Sequence, residues 1–296
     1  SAYPDKAQLP PSTLHVVNGK TYAVQGYVNL LGLWYNKDIL DKIGVQPPTT
    51  MAELETDMQK AKDAGYGGIT LSGLPNSQGE WQAYPWITDA GFTYDNLDQS
   101  ALANGFTRIQ NWVKKGWLSQ EATTWDQTVP FQTFAAGNVA FAENGNWQMA
   151  TAKANAKFAY GVVPLPISST AGIYLGGEGE GIGTYSKNPQ LAWDYLTSSY
   201  LAPDGQLAAA SLVGSLPSRL DVAKNSQVTS DALLTPFATE IATVGAAYPS
   251  AKIPPAGVAA VQTAMGQAWS AVIGGQQSPQ DAAAAAIQAV KKASNG

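Results

Sequence analysis

The chain has 296 residues, 45% of them hydrophobic and 13% charged, enough apolar content for one large or two modest globular domains with a sizeable core. Its net charge is −5 and its 17 basic residues never form a run, so the footprint of nucleic acid or anionic membrane binding is absent and neither partner is expected. The lack of cysteine excludes disulfides, thiolate metal sites and cysteine nucleophiles, and it suits an exported protein.

In chain order, residues 1–18 contain Pro4, Pro10 and Pro11 and show no strand alternation. Thr21 to Val28 and Leu30 to Tyr35 read as strands interrupted near Gly26. The apolar run Gly32-Leu33-Trp34-Tyr35 stops at Asn36-Lys37-Asp38, restarts as a short helix ended by Gly44, and turns at Pro47-Pro48. Thr50 then stands three residues before Glu53, a capping box that opens a helix from Met51 to Ala64, closed by Gly65.

Gly67 to Leu71 is a short buried strand, Pro75 to Gly79 a loop, and the aromatic cluster Trp81, Tyr84 and Trp86 follows. Leu102 to Lys114 places Phe106, Ile109 and Val113 at amphipathic helical spacing before Gly116. Another helix ends at Gly137, ahead of a strand from Val139 to Phe141. Strands alternating with helices predict an α/β protein. From Pro189 to Arg219 the pattern is helical, broken at Pro203-Asp204-Gly205 and at Gly214. Ser278-Pro279-Gln280-Asp281 opens a last, alanine-rich helix with no cofactor implication. No apolar run approaches the length that spans a bilayer.

Gly176-Gly177-Glu178-Gly179-Glu180-Gly181 is the most individual stretch. Its glycines let backbone approach a ligand closely, and Glu178 and Glu180, at i and i+2, share a face if the segment is extended. Such a pair can accept several sugar hydroxyls; solvated loop charges are the alternative. The third glycine of the dinucleotide fingerprint is missing, and no Gly-x-Ser-x-Gly, His-Glu-x-x-His or phosphate loop occurs. No cofactor or metal is expected. Paired glutamates raise a glycoside hydrolase as an alternative, but catalytic carboxyls stand roughly 5 to 10 Å apart across a scissile bond, whereas these share one side.

Four segments carry a family resemblance. They are Tyr35-Asn36-Lys37-Asp38 with Pro47-Pro48-Thr49 before the capped helix; Phe134 to Phe141 with Asn144-Gly145-Asn146-Trp147; Tyr160 to Pro166; and Gly176 to Ile182 with Ser186-Lys187-Asn188, Ala192-Trp193 and Leu216-Pro217-Ser218-Arg219. In this order they resemble the extracellular solute-binding proteins of carbohydrate ABC importers, the maltodextrin-binding type, from about Gly19 to the last helix. The family normally opens with a βαβ stretch that has no counterpart here, so a missing N-terminal segment or a second polypeptide is expected to complete the first lobe.

The resemblance implies a two-lobed α/β fold with a hinged cleft. Residues 1–31 and 183–240 would form part of the first lobe and residues 32–182 and 241–296 the second, with crossings near 30 to 34, 180 to 184 and 240. It implies a monomeric, non-enzymatic receptor, periplasmic or tethered as a lipoprotein, that binds an oligosaccharide and delivers it to permease subunits. A polyamine or peptide binder is the alternative. Trp147 matches the family's stacking tryptophan, and Trp81, or Tyr84, the place of another at a loop-to-helix junction. Asn29 aligns with a polar position on the crossing strand. Trp125-Asp126 would add a ring and an acceptor from a loop, and Arg219 either clamps ligand from the first lobe or makes a salt bridge. The family's late aromatic, due soon after Ile253-Pro254-Pro255, is not evident: Val261 and Gln262 fall there, with Trp269 further on.

Overall fold

The computed structural model describes residues 3–246, 250 and 252–294. It opens on a hairpin of β1 (Leu14–Val17) and β2 (Lys20–Gln25), turned at Asn18-Gly19 with φ of 49° and 74°. Two successive positive φ values give a turn whose twist suits a hairpin, and Asn-Gly tolerates them best. The strandless reading of residues 1–18 is thereby corrected: the prolines stop at Pro11, and Val16-Val17 before Asn-Gly supply strand residues and a turn.

After a break at Gly26 come β3 (Tyr27–Val28) and β4 (Leu31–Asn36), and later β5 (Gly67–Thr70), β6 (Val139–Gly145) and β7 (Tyr160–Val163). Four of these form one sheet in the order β5-β6-β4-β7, with β4 antiparallel to both neighbours and β5 parallel to β6. All of β6 and all of β4 except Tyr35 are buried, as continuous apolar runs under helices should be. Trp34 is fully enclosed against Phe131 and Phe237, at ring separations of 4.9 and 6.2 Å. Phe237 belongs to the helix Thr235–Thr243, whose Glu240 accepts a hydrogen bond from the Leu165 amide at 2.6 Å. That helix packs on this sheet.

Local signals start the flanking helices. The Asn36 side chain accepts from the Ile39 amide at 3.1 Å, capping Lys37–Ile43. Thr50 and Glu53 exchange hydrogen bonds of 3.2 and 3.1 Å at the head of Met51–Asp63. Ser278 caps Pro279–Ser294 by accepting from the Asp281 amide at 3.1 Å. The segment read as loop and junction around residues 75–86 is instead the helix Ser77–Asp89, capped by Asn76 and running through Pro85. The helix accommodates Pro85 although a proline removes one backbone donor and crowds the preceding turn.

The remaining strands are short: β8 (Ile173–Tyr174), β9 (Gly179–Glu180), β10 (Leu216–Pro217) and β11 (Gly245–Ala246). β9 extends the hairpin by pairing with β2, β10 pairs with β3, and β11 runs parallel to β8. Beside them, Pro189–Tyr195 continues into a π-helical turn over Leu196–Tyr200. The helical run breaks at Leu201-Ala202, just ahead of Pro203, which starts the next helix, Pro203–Val213, in the first turn where its missing N–H costs nothing. Tyr185, Leu191, Tyr195 and Leu212 are exposed on this part of the molecule.

Candidate functional site

Two chain segments that leave different sheets meet at a single bridge between Asn29 and Gly176, with N–H to O distances of 3.1 and 2.6 Å. Gln25 Nε2 adds a 2.5 Å bond to the Gly176 carbonyl. A Cβ on Gly176 would stand 2.8 Å from Trp81 Cζ2 and 3.0 Å from the Asn29 carbonyl, so a residue without a side chain is needed for the indole to lie on this backbone. Trp81, half-buried in the helix Ser77–Asp89, also packs against Tyr174, with ring centroids 5.0 Å apart. Its Nε1–H is enclosed with no acceptor among the described residues.

The same asparagine is reached from the end of β6. Asn146 is fully buried; its Oδ1 accepts from the Leu30 amide at 2.9 Å, and its Nδ2 donates to Asn29 Oδ1 at 2.9 Å and to the Gly214 carbonyl at 2.7 Å. Trp147 follows in a 3-10 turn, half-buried, its ring lying over Gly145 so closely that a Cβ there would fall 1.9 Å from Cζ3. Trp81, Gly176, Asn29, Asn146 and Trp147 thus form one contiguous series, drawn from a helix, a glycine turn, a crossing strand and a strand end. Rings with apolar faces beside fixed amide donors and acceptors have the chemistry that a sugar's CH faces and hydroxyls match.

Glu178 and Glu180 lie next along the chain but face other groups. The Glu178 carbonyl accepts from Tyr200 Oη at 2.7 Å, and its exposed side chain lies at the Tyr27 hydroxyl. Burial, helped by that carboxylate, pushes the Tyr27 phenol up to about 12. Glu180, opposite Val24 in β9, lines a cavity of about 420 Å³ with Tyr3, Lys6, Tyr22, Trp193 and Tyr200. The two carboxylates are therefore set among Tyr3, Tyr22, Tyr27 and Tyr200.

Several expected contributors are committed elsewhere. Tyr84 is a correction: it is buried, stacked on Tyr174 with centroids 3.6 Å apart, so the ring face a ligand would use is taken. Arg219 is another. Its guanidinium is 2% exposed and bound to Asp221 at 2.7 Å, Asp5 at 3.1 Å and Tyr3 Oη at 2.6 Å, the salt-bridge alternative. Asp221's carboxyl is held below its usual range by Arg219. Asp126 spends Oδ1 on the Thr128 and Val129 amides, at 2.8 and 3.1 Å, capping the helix Thr128–Ala135. Trp125 is half-buried against the core, its carbonyl accepting from Ser72 Oγ at 2.7 Å. Trp269 is fully buried and donates to the Ser72 carbonyl at 3.1 Å.

Asn146, Gln25 and two buried acids were not singled out by sequence. Glu143 is fully buried in β6, where burial raises its pKa well above the ordinary carboxylate value despite a 2.7 Å bond from Trp86 Nε1. Glu80, next to Trp81, is equally enclosed. The signal for both was an acid inside an apolar or aromatic run, Ala140-Phe141-Ala142-Glu143 and Glu80-Trp81. No cluster among the described residues has the donors to hold a metal ion.

The family model for bacterial extracellular solute-binding proteins matches residues 2–236. The chain is 26% identical over 235 residues to the melibiose/raffinose/stachyose-binding protein MelE of Bacillus subtilis, and 26% identical over 210 residues to its maltodextrin-binding protein MdxE. Those alignments take in 71% and 65% of this chain, which spans about half of either relative, 53% and 48%. In structure it superposes on maltose-bound MalE3 of T. maritima with a TM-score of 0.86 at 21% identity, covering 97% of this chain and 77% of that one. The GacH receptor of Streptomyces glaucescens, solved unliganded and with acarbose, gives 0.85 at 25% identity, covering 98% and 76%. The two-lobed α/β fold follows from these likenesses.

Proposed function

The chain belongs to the bacterial extracellular solute-binding protein family, and we propose that it captures a carbohydrate, an oligosaccharide, between two lobes for delivery to an ABC permease. The observation that carries this reading is the Trp81–Gly176–Asn29–Asn146–Trp147 series, in which two indoles flank polar amides at the junction of the crossing segments. Sugar-binding relatives and a maltose-bound structural neighbour support it.

In this proposal Trp81 and Trp147 offer stacking faces and Asn29 a hydrogen-bonding amide, while Glu178 accepts hydroxyls from the rim beside Tyr27. Glu180 and Asp126 contribute less, each being drawn to other neighbours. Closure is a hinge motion, stabilised when ligand contacts both lobes at once, and no bond is broken. We take the lobes as residues 1–31 and 183–240 against 32–182 and 241–296, with one adjustment: the packing of Thr235–Thr243 on β4 and β7 argues for placing the last crossing before Thr235. An extracytoplasmic site of action, periplasmic or lipid-tethered, belongs to the same proposal; no described helix is long and apolar enough to cross a membrane.

A thermal-shift screen tests the reading, because a ligand that prefers the native state raises apparent stability. Neutral oligosaccharides should raise the midpoint while polyamines and peptides leave it unchanged. Stabilisation by a polyamine alone would overturn the carbohydrate assignment.

A further inference from the structure

The helix that carries Trp81 turns Glu80 inward, where it is fully buried. One carboxyl oxygen, Oε1, accepts from both Tyr94 Oη at 2.8 Å and Tyr174 Oη at 2.7 Å, while Oε2 is enclosed with no partner among the described residues. Tyr174 ends β8, two residues before Gly176, and its ring stacks on Tyr84 and meets Trp81. Glu80 therefore ties the helix bearing the indole to the strand that delivers the glycine on which that indole rests.

Among the described residues, the groups facing this carboxyl are phenols and one further acid: Tyr94 and Tyr174 in contact, with Tyr84 beside them and Asp95 beyond. Arg108 is paired with Asp89 and Lys252 lies by Asp95, so neither forms an ion pair with Glu80. Burial outweighs the two phenol hydrogen bonds and raises the Glu80 pKa from 4.5 to about 7.

We propose that Glu80 is a positioning residue for the cleft: through Tyr174 it seats the Gly176 turn against the Trp81 indole, and ionisation of its carboxyl loosens that seat. When neutral, the acid carries its proton on Oε2 and leaves Oε1 to both phenols. When charged, it must be compensated in a site that holds, among the described residues, two neutral phenol donors and no cation, which requires water to enter or β8 to part from the helix. Either event moves Tyr174, and Gly176 two residues on. The effect on affinity rests on the carbohydrate reading above; the effect on Trp81 does not.

The test follows the Trp81 indole N–H resonance in the full chain labelled with ¹⁵N-tryptophan, assigned with Trp81→Phe, from about pH 5.5 to about pH 8.5. Glu80→Gln keeps an acceptor oxygen for both tyrosines but cannot ionise; Glu80→Leu keeps the bulk and loses the acceptor. The wild-type resonance should move in one step near pH 7, and the Gln variant should stay at the low-pH wild-type position throughout. The Leu variant should be displaced at every pH. In parallel, affinity for maltotetraose should fall about tenfold across the step in the wild type and stay flat in the Gln variant.

A wild-type indole resonance that does not titrate, or a Gln variant that titrates like the wild type, would overturn the proposal. A wild type that binds no oligosaccharide would instead sink the functional reading, leaving the unliganded titration to decide the role of Glu80. If the Leu variant fails to fold, the comparison of wild type with Gln still decides it.

Discussion

Asn146 donates from Nδ2 to the side-chain oxygen of Asn29 at 2.9 Å while its own Oδ1 accepts the amide of Leu30, one residue further along, at the same distance. One buried amide at the end of β6 thus grips the entry to β4 at two successive residues, and it also holds the Gly214 carbonyl at 2.7 Å. Gly214 closes the helix Pro203–Val213, which packs beside β10. The contact joins the large sheet to the helix Pro203–Val213 beside Asn29 and Trp147.

Asn146→Ala should destabilise the protein by about 2–4 kcal/mol, because at least two buried backbone groups, the Leu30 N–H and the Gly214 carbonyl, lose their partner. Equilibrium urea unfolding measures this. A loss under about 0.5 kcal/mol would mean that water replaces the amide and that it holds nothing together.

Gly176→Ala should leave the fold intact and lower saccharide affinity about tenfold, since the new methyl would press on Trp81 Cζ2 and displace the indole from its seat. Titration calorimetry with maltotetraose checks it. An unchanged dissociation constant would show that the Trp81–Gly176 contact does not shape the site.

Stability should decline as the medium becomes alkaline. Glu143 has a folded pKa raised well above 4.5 by burial, so its carboxyl favours the native state most fully below the unfolded value and loses that contribution as pH rises towards the folded one. Glu240 acts in the same direction. Glu143→Gln keeps an acceptor for Trp86 Nε1 and removes the charge, so it should match the wild type at about pH 4.5 and exceed it in melting temperature at about pH 8. Parallel melting curves across that range would contradict the account.

Arg219→Met should cost about 2 kcal/mol. The guanidinium is 2% exposed, but its partners Asp5 and Asp221 are 52% and 41% exposed and stay partly solvated, which reduces the penalty from that of a fully buried pair. Saccharide affinity should not change. A selective loss of binding without loss of stability would restore Arg219 to the ligand site.

Where the sequence was legible, the signal was local. The Asn36 cap, the Thr50–Glu53 box and the Ser278 cap each state a helix start in three or four residues, and the apolar runs Leu30 to Tyr35 and Val139 to Phe141 are strands by composition. The misses came where distant contacts decide. The family resemblance placed Trp81 at a loop-to-helix junction, whereas it lies within a helix that runs through Pro85 with Tyr84 and Trp86 buried. Glu178 and Glu180 share a short strand region, but their neighbours, Tyr27 and Tyr200, come from segments more than a hundred residues away or from the next helix pair, which spacing cannot reveal. Arg219 follows a motif that resembled the family's, while its partner Asp5 lies near the opposite end of the chain. Asn146 was visible as part of Asn144-Gly145-Asn146-Trp147, but its role depends on Leu30 and Gly214 together.

Titration calorimetry of maltotetraose and raffinose into the wild type, Trp81→Ala and Trp147→Ala bears most directly on the cleft. At least one sugar should bind the wild type, and each substitution should weaken it by on the order of 1 kcal/mol or more while leaving the melting temperature of the unliganded protein nearly unchanged. Full wild-type affinity in both variants would show that saccharide is held somewhere other than between these two indoles.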